Sequence, residues 1–125
     1  MTQEEKEVLI KDLCGRLPYG VKIKEEYGDY INVNIYNANI EHLIDRVVSG
    51  LDKMVLRPMS SMTEEEKEEL VSKHIKLVFE DKNHNPETVA VDIDGFDWLN
   101  VHHFDYRGLI PKGLAEIAPE GMYST

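Results

Sequence analysis

The stretch from Val21 to Ile35 restricts the fold more than any other, because its period of two calls for paired strands. Val21 and Ile23 alternate with Lys22 and Lys24, and Ile31, Val33 and Ile35 alternate with Asn32 and Asn34. Gly28-Asp29 between them resembles a two-residue hairpin loop, but parity rules this out. Such a loop would set Ile31, Val33 and Ile35 opposite Glu26, Lys24 and Lys22, and a slip of one residue moves a whole strand to the other face. A three-residue loop, Tyr27-Gly28-Asp29, instead pairs Val33 with Ile23 and Ile35 with Val21. The hairpin is therefore expected to have an odd-length loop.

Helical patterns enclose it. Thr2-x-x-Glu5 is a capping box, and Glu4, Glu5 and Glu7 suit the positive end of a helix. Leu9, Ile10, Leu13, Cys14 and Leu17 recur at helical spacing, and Pro18 stops the run, so a helix is expected over 3–16 with Cys14 as a small buried residue. Ile40, Leu43, Ile44, Val47, Val48 and Leu51 give a second amphipathic helix, broken by Gly50. Met54-Val55-Leu56 reads as a short strand ending at Arg57-Pro58. Thr63 and Glu66 form another capping box, with Glu64 and Glu65 in the same first turn, so a helix is expected over 64–74. Residues 75–80 fit both periods, with strand preferred. Asp81–Glu87 is a turn, and Val89, Val91 and Ile93 alternate as a strand. The fold class expected is α+β: a small antiparallel sheet of three to five strands, an N-terminal helix, two further helices and an irregular C-terminal aromatic module.

Composition narrows the functional classes. A chain of 125 residues makes one domain. Its net charge of −10 argues against a nucleic-acid partner, which clustered Lys and Arg would have to hold. MTQEEKEVLI is no signal peptide, no apolar run approaches membrane-spanning length, and Cys14 has no second cysteine to pair with. A cytoplasmic protein without a membrane partner is expected.

Chemistry concentrates between Asp94 and Tyr123. Phe96, Trp98, Phe104 and Tyr106, with His102 and His103, lie within it. Asp94 or Asp97 can cap a helix from about Phe96 to His103, on which Trp98, His102 and Asp105 share a face. Beyond Tyr106, Gly108, Pro111, Gly113, Pro119 and Gly121 punctuate an irregular tail pinned by apolar pairs.

The blocks DLCGRLPYGVK (Asp12–Lys22), LRPMSSMTEEE (Leu56–Glu66) and DWLNVHHFDYRGLIPKGLAEIAPEGMY (Asp97–Tyr123) resemble a family of small uncharacterised proteins of gut Bacteroidetes and the phages that infect them. The resemblance implies a gene carried by a phage or mobile element and carries over no activity. Glu25 to Lys53 takes no part in it.

Asp94, Asp97, His102, His103 and Asp105 suggest a metal site, but they lack ligand spacing: adjacent histidines on a helix diverge by about 100°. Neither metal nor cofactor is expected. His102 or His103 with Asp105 could supply a base and its orienting carboxylate for a small hydrolase. No serine sits in a nucleophile-elbow context, and Ser60, Ser61 and Thr63 serve as helix caps. On the bland reading, Trp98, Phe104 and Tyr106 fill the core, the two histidines bond to backbone at a helix end, and Arg107 meets a carboxylate. The preferred functional expectation is an interaction or regulatory protein that binds a protein partner, or a second copy of itself, through Trp98, His102, His103, Tyr106 and Arg107. The remaining alternative, an acidic mimic of nucleic acid, requires Glu64–Glu69 to join other carboxylates in one continuous face.

Overall fold

Capping and period locate the first three helices where the sequence places them. The structure is a computed structural model that describes residues 1–80, 86–91 and 93–123, with side chains for all of these but 74–80 and 86–91. The elements in order are α1 (Gln3–Arg16), β1 (Val21–Lys24), β2 (Tyr30–Val33), α2 (Ile40–Val48), β3 (Lys53–Leu56), α3 (Glu64–His74), β4 (Ile75–Glu80), β5 (Pro86–Val91), α4 (Ile93–Val101) and β6 (Ala115–Ile117). Thr2 and Glu5 close a capping box on α1, and Thr63 and Glu66 exchange the same reciprocal bonds at the start of α3. The fold is α+β, as expected. Most of the loop expected at Asp81–Glu87 lies outside the described residues.

One sheet has the order β2-β1-β3-β6, and β4-β5 forms a separate hairpin. The first three strands pair antiparallel, whereas β6 runs parallel to β3, with Met54 opposite Ala115 and Leu56 opposite Ile117. The tail expected to be irregular thus contributes a strand. Its three residues are too few for an alternation to show in sequence.

The hairpin loop is odd in length, but the register differs from the expected one. Val33 faces Val21 and Ile31 faces Ile23, which leaves residues 25–29 as the loop. Within it the Glu25 N–H donates to the Asp29 carbonyl at 2.7 Å. Parity is preserved, so the same side chains face inward, two positions along.

Leu9 and Leu13 of α1 and Leu17 just beyond it, with Leu43 and Val47 of α2, pack on Val21, Ile23, Met54 and Leu56 of the sheet. A second cluster joins Met62 and Leu70 to Trp98, Leu99 and Phe104. The inward stripe of α1 is Leu9, Asp12, Leu13 and Arg16, and Cys14 is exposed rather than buried. A charged pair occupies the inward place that an apolar count assigned to Cys14.

Candidate functional site

Asp94–Tyr123 is built from the end of α4 outward. The helix begins at Ile93, ahead of the expected start, so Asp94 lies in its first turn instead of capping it. Asp97 accepts a hydrogen bond from the Tyr19 hydroxyl. Trp98, Leu99 and Asn100 face inward. The helix closes in a Schellman motif: Phe104 N–H donates to Leu99 C=O at 3.0 Å and His103 N–H to Asn100 C=O at 3.1 Å. His103 holds the left-handed position of that motif, with φ 64°, where glycine is usual. A non-glycine residue there costs about 1 kcal/mol, so its surroundings must hold it in place.

This turn breaks the helical phase before Asp105. Trp98 and His102 meet as their spacing suggests, with ring centroids 4.2 Å apart and planes tilted by 38°. Asp105 is separated from them: its carboxylate accepts the N–H groups of Leu109 at 2.8 Å and Ile110 at 2.9 Å, fixing the following turn. Nor do the histidine side chains bond to backbone among the described residues. His102 Nδ1 lies 3.7 Å from Glu66 Oε2. His103 stacks on Tyr123 with centroids 3.8 Å apart, and its Nδ1 is buried with no hydrogen-bond partner among the described residues. Burial, reinforced by the positive charges of Arg16, Arg57 and Lys22, holds His103 down to about 4. The ring is therefore neutral near pH 7.

Around this turn the segments 12–22, 56–66 and 97–123 meet. Asp12 and Arg16, both 0% exposed, pair through Nε to Oδ2 at 2.6 Å, and Arg16 Nη2 donates to the Phe104 carbonyl at 2.7 Å. Arg107 reaches the same Asp12 at 3.1 Å, and the guanidinium groups of Arg16 and Arg107 both lie against the Tyr106 ring. Arg57 covers the Phe104 ring at 4.1 Å. Arg57 N–H donates to His103 C=O, and Asp105 N–H returns to Arg57 C=O, each at 2.8 Å. The Tyr123 hydroxyl accepts from Lys22 N–H at 2.9 Å and donates to Val55 C=O at 2.6 Å, bridging β1 and β3. Burial pushes that phenol up to about 12. Trp98, with 8% of its surface exposed, and Phe104, with none, belong to the interior. Tyr106 packs against them with its hydroxyl on Asn100 Oδ1.

His102 opens on a cleft of about 730 Å³ shared with Arg57, Ser61, Glu66 and Tyr123. Arg57 grips Glu66 with both arms, at 2.9 and 2.8 Å, and this grip with the Thr63 backbone bond holds the Glu66 carboxyl down to about 2. Ser61 Oγ is occupied by the Pro58 carbonyl at 2.7 Å. The His102 side chain is 29% exposed and makes no hydrogen bond among the described residues. Among the described residues no three of His, Cys, Asp and Glu gather as metal ligands, and no helix is long and apolar enough to cross a membrane.

The two most exposed aromatic side chains lie elsewhere, outside every site expected from the sequence. Tyr27 is 89% exposed and Tyr36 94%, and Tyr30, Ile31, Ile35 and Ile40 of the same stretch of chain are also exposed. Tyr36 does not sit on a loose loop. Asn34 Oδ1 accepts the N–H groups of Tyr36 at 2.8 Å and Asn37 at 3.1 Å, while Asn37 Oδ1 accepts Asn34 N–H at 2.8 Å. A signal for this face exists in the sequence. Residues 25–45 hold Glu25, Glu26, Asp29, Glu41 and Asp45 with no Lys or Arg, interleaved with Tyr27, Tyr30 and Tyr36. No family model, curated protein or solved structure matches the chain.

Proposed function

We propose that this is a small interaction or regulatory protein, of phage or mobile-element type and cytoplasmic, that binds another protein through the outer face of the β1–β2 hairpin and the turn after it. The observation that carries this reading is Tyr36, 94% exposed on a turn locked by its own hydrogen bonds. A rigid turn that presents a tyrosine to solvent gives contact area at low entropic cost, the chemistry of interface anchors. Trp98, His102, His103, Tyr106 and Arg107 act mainly in closing the fold in this reading.

Affinity capture from bacterial lysate tests it, with the intact chain and a Tyr27→Ser/Tyr36→Ser variant run side by side. A partner held by the first and lost by the second, with unfolding unchanged, supports the reading. A monomer that captures nothing, or a partner indifferent to both tyrosines, counts against it.

A second reading, a small hydrolase, rests on one observation: His102 faces the cleft at Arg57 and Glu66 with its Nδ1 3.7 Å from a carboxylate held ionised. In that reading Glu66 replaces Asp105 as the orienting group, and His103 takes no part. Loss of a hydrolytic activity on His102→Ala would establish it. The acidic-mimic reading draws less support, since Lys67 and Lys73 sit beside Glu64 and Glu69 and interrupt the carboxylates of α3.

A further inference from the structure

We propose that the groove between the β1–β2 hairpin and α2 is the anchor pocket of the interaction surface, and that it takes a partner segment with one bulky apolar side chain flanked by lysine or arginine. The inference rests on the protein-binding reading above and names the chemistry of its partner. The groove encloses about 440 Å³, within the size range of pockets that hold a ligand. Ile31, Val33 and Leu43 line it with apolar surface, and all three sit at the margin of the main core, with Ile31 the most open at 37%. The walls ask for an apolar group.

Its rim asks for a cation. Glu25, Glu26 and Asp29 stand around the mouth. Arg46, the guanidinium nearby, is already paired: its Nε donates to Asp52 at 2.8 Å and its Nη2 to Glu26 at 3.2 Å. Asp52 is otherwise used as well, accepting Glu26 N–H at 3.1 Å. The lining of the groove holds four carboxylates, Glu25, Glu26, Asp29 and Asp52, against this single paired arginine, so its field favours an incoming Lys or Arg. The open ring of Tyr27 at the edge adds a face on which a guanidinium can rest.

Two other occupants fit poorly. A second copy of the chain would set these carboxylates against their own images, a like-charge contact that disfavours pairing. A strand added to the edge of β2 meets Asn37. Its carboxamide donates to Asn32 C=O at 3.1 Å and accepts Asn34 N–H at 2.8 Å, filling the place a neighbouring peptide group would take. Docking by side chains into the groove remains.

The test is an amide-resolved NMR titration of the intact, isotopically labelled chain with three synthetic peptides of equal length. The first carries a leucine or tryptophan flanked by arginines, the second replaces the flanks with glutamates, and the third keeps the arginines and replaces the anchor with alanine. The first peptide is expected to shift the amides of Ile31, Val33, Ala38 and Leu43 in a saturable way and to bind at least tenfold more tightly than the other two. Asp29→Lys, an exposed change that leaves the core intact, should weaken it at least tenfold, as should Ile31→Lys. Equal binding of the first and third peptides, or shifts spread over Glu64–Glu69, would overturn the anchor. If no peptide shifts the groove while the tyrosine pair still governs partner capture, the pocket falls and the broader interaction reading stands.

Discussion

Asp12, Arg16 and Phe104 have no exposed surface, whereas Tyr27 and Tyr36 are open over nearly all of theirs. The buried region carries the residue types of active sites, and the open one has the composition of an ordinary polar loop. Their hydrogen bonds separate them. Around His103 and Asp105, buried side chains direct their polar atoms to backbone: Asp105 to two N–H groups, Tyr123 to one N–H and one C=O, Arg16 to a carbonyl. Around Asn34 and Asn37 the asparagines do the bonding, and the tyrosine between them is left over. A side chain that closes the structure is consumed by it. A side chain held outward by a closed structure remains available to a partner.

The contrast can be broken from the interior first. Asp12→Asn leaves Arg16 buried without its anion and is expected to destabilise the fold by about 3–5 kcal/mol in denaturant unfolding. Replacing both partners together, Asp12→Leu with Arg16→Met, should cost less than Asp12→Asn alone. Tyr123→Phe removes the hydroxyl that bridges Lys22 N–H and Val55 C=O and should cost about 1–3 kcal/mol. A loss below a few tenths would show that the tail does not brace the sheet.

His103 adds a smaller effect with a defined sign. Its folded value of about 4 lies below its ordinary 6.5, so between these values the unfolded chain binds the extra proton. The contribution is fully present above pH 6.5 and is lost as pH falls toward 4, by on the order of 1–2 kcal/mol once its partial exposure is discounted. His103→Asn keeps a residue tolerant of the left-handed turn and removes the titration, so stability should flatten across that window. Glu66, held near 2 against an ordinary 4.5, withdraws its own contribution at lower pH, as pH falls from 4.5 toward 2. The smallest stability effect belongs to the hairpin face. Tyr27→Ser with Tyr36→Ser should change unfolding by no more than about 0.5 kcal/mol per site, while removing partner capture.

Much of the framework can be read from local chemistry. The two Thr-x-x-Glu boxes place α1 and α3, and parity at Gly28 excludes the two-residue loop. What sequence misses is long range. The loop of residues 25–29 wins over a tighter turn because Leu17 C=O takes Ile35 N–H at 3.1 Å, drawing Ile35 out of the hairpin. Asp12 and Arg16 share the phase of Leu9 and Leu13, but a charged pair counts as surface until a second arginine and a carbonyl are known to meet it. His102 and Asp105 are collinear on an ideal helix until a left-handed residue intervenes, and histidine is not the residue that announces such a turn. For the aromatic face the difficulty is one of weighting. Tryptophan and histidine signal chemistry more strongly than isolated tyrosines among asparagines, whatever their exposure.

The central claim is that the C-terminal aromatic stretch closes the fold and the hairpin face is what the protein presents. Hydroxyl-radical footprinting of the intact chain tests it most directly, since oxidation rates report side-chain exposure residue by residue. Among the aromatic residues, Tyr27 and Tyr36 should be modified first and at similar rates, with Trp98 and Phe104 protected until the protein unfolds. Early oxidation of Trp98 and Phe104, at rates matching Tyr36, would contradict the account.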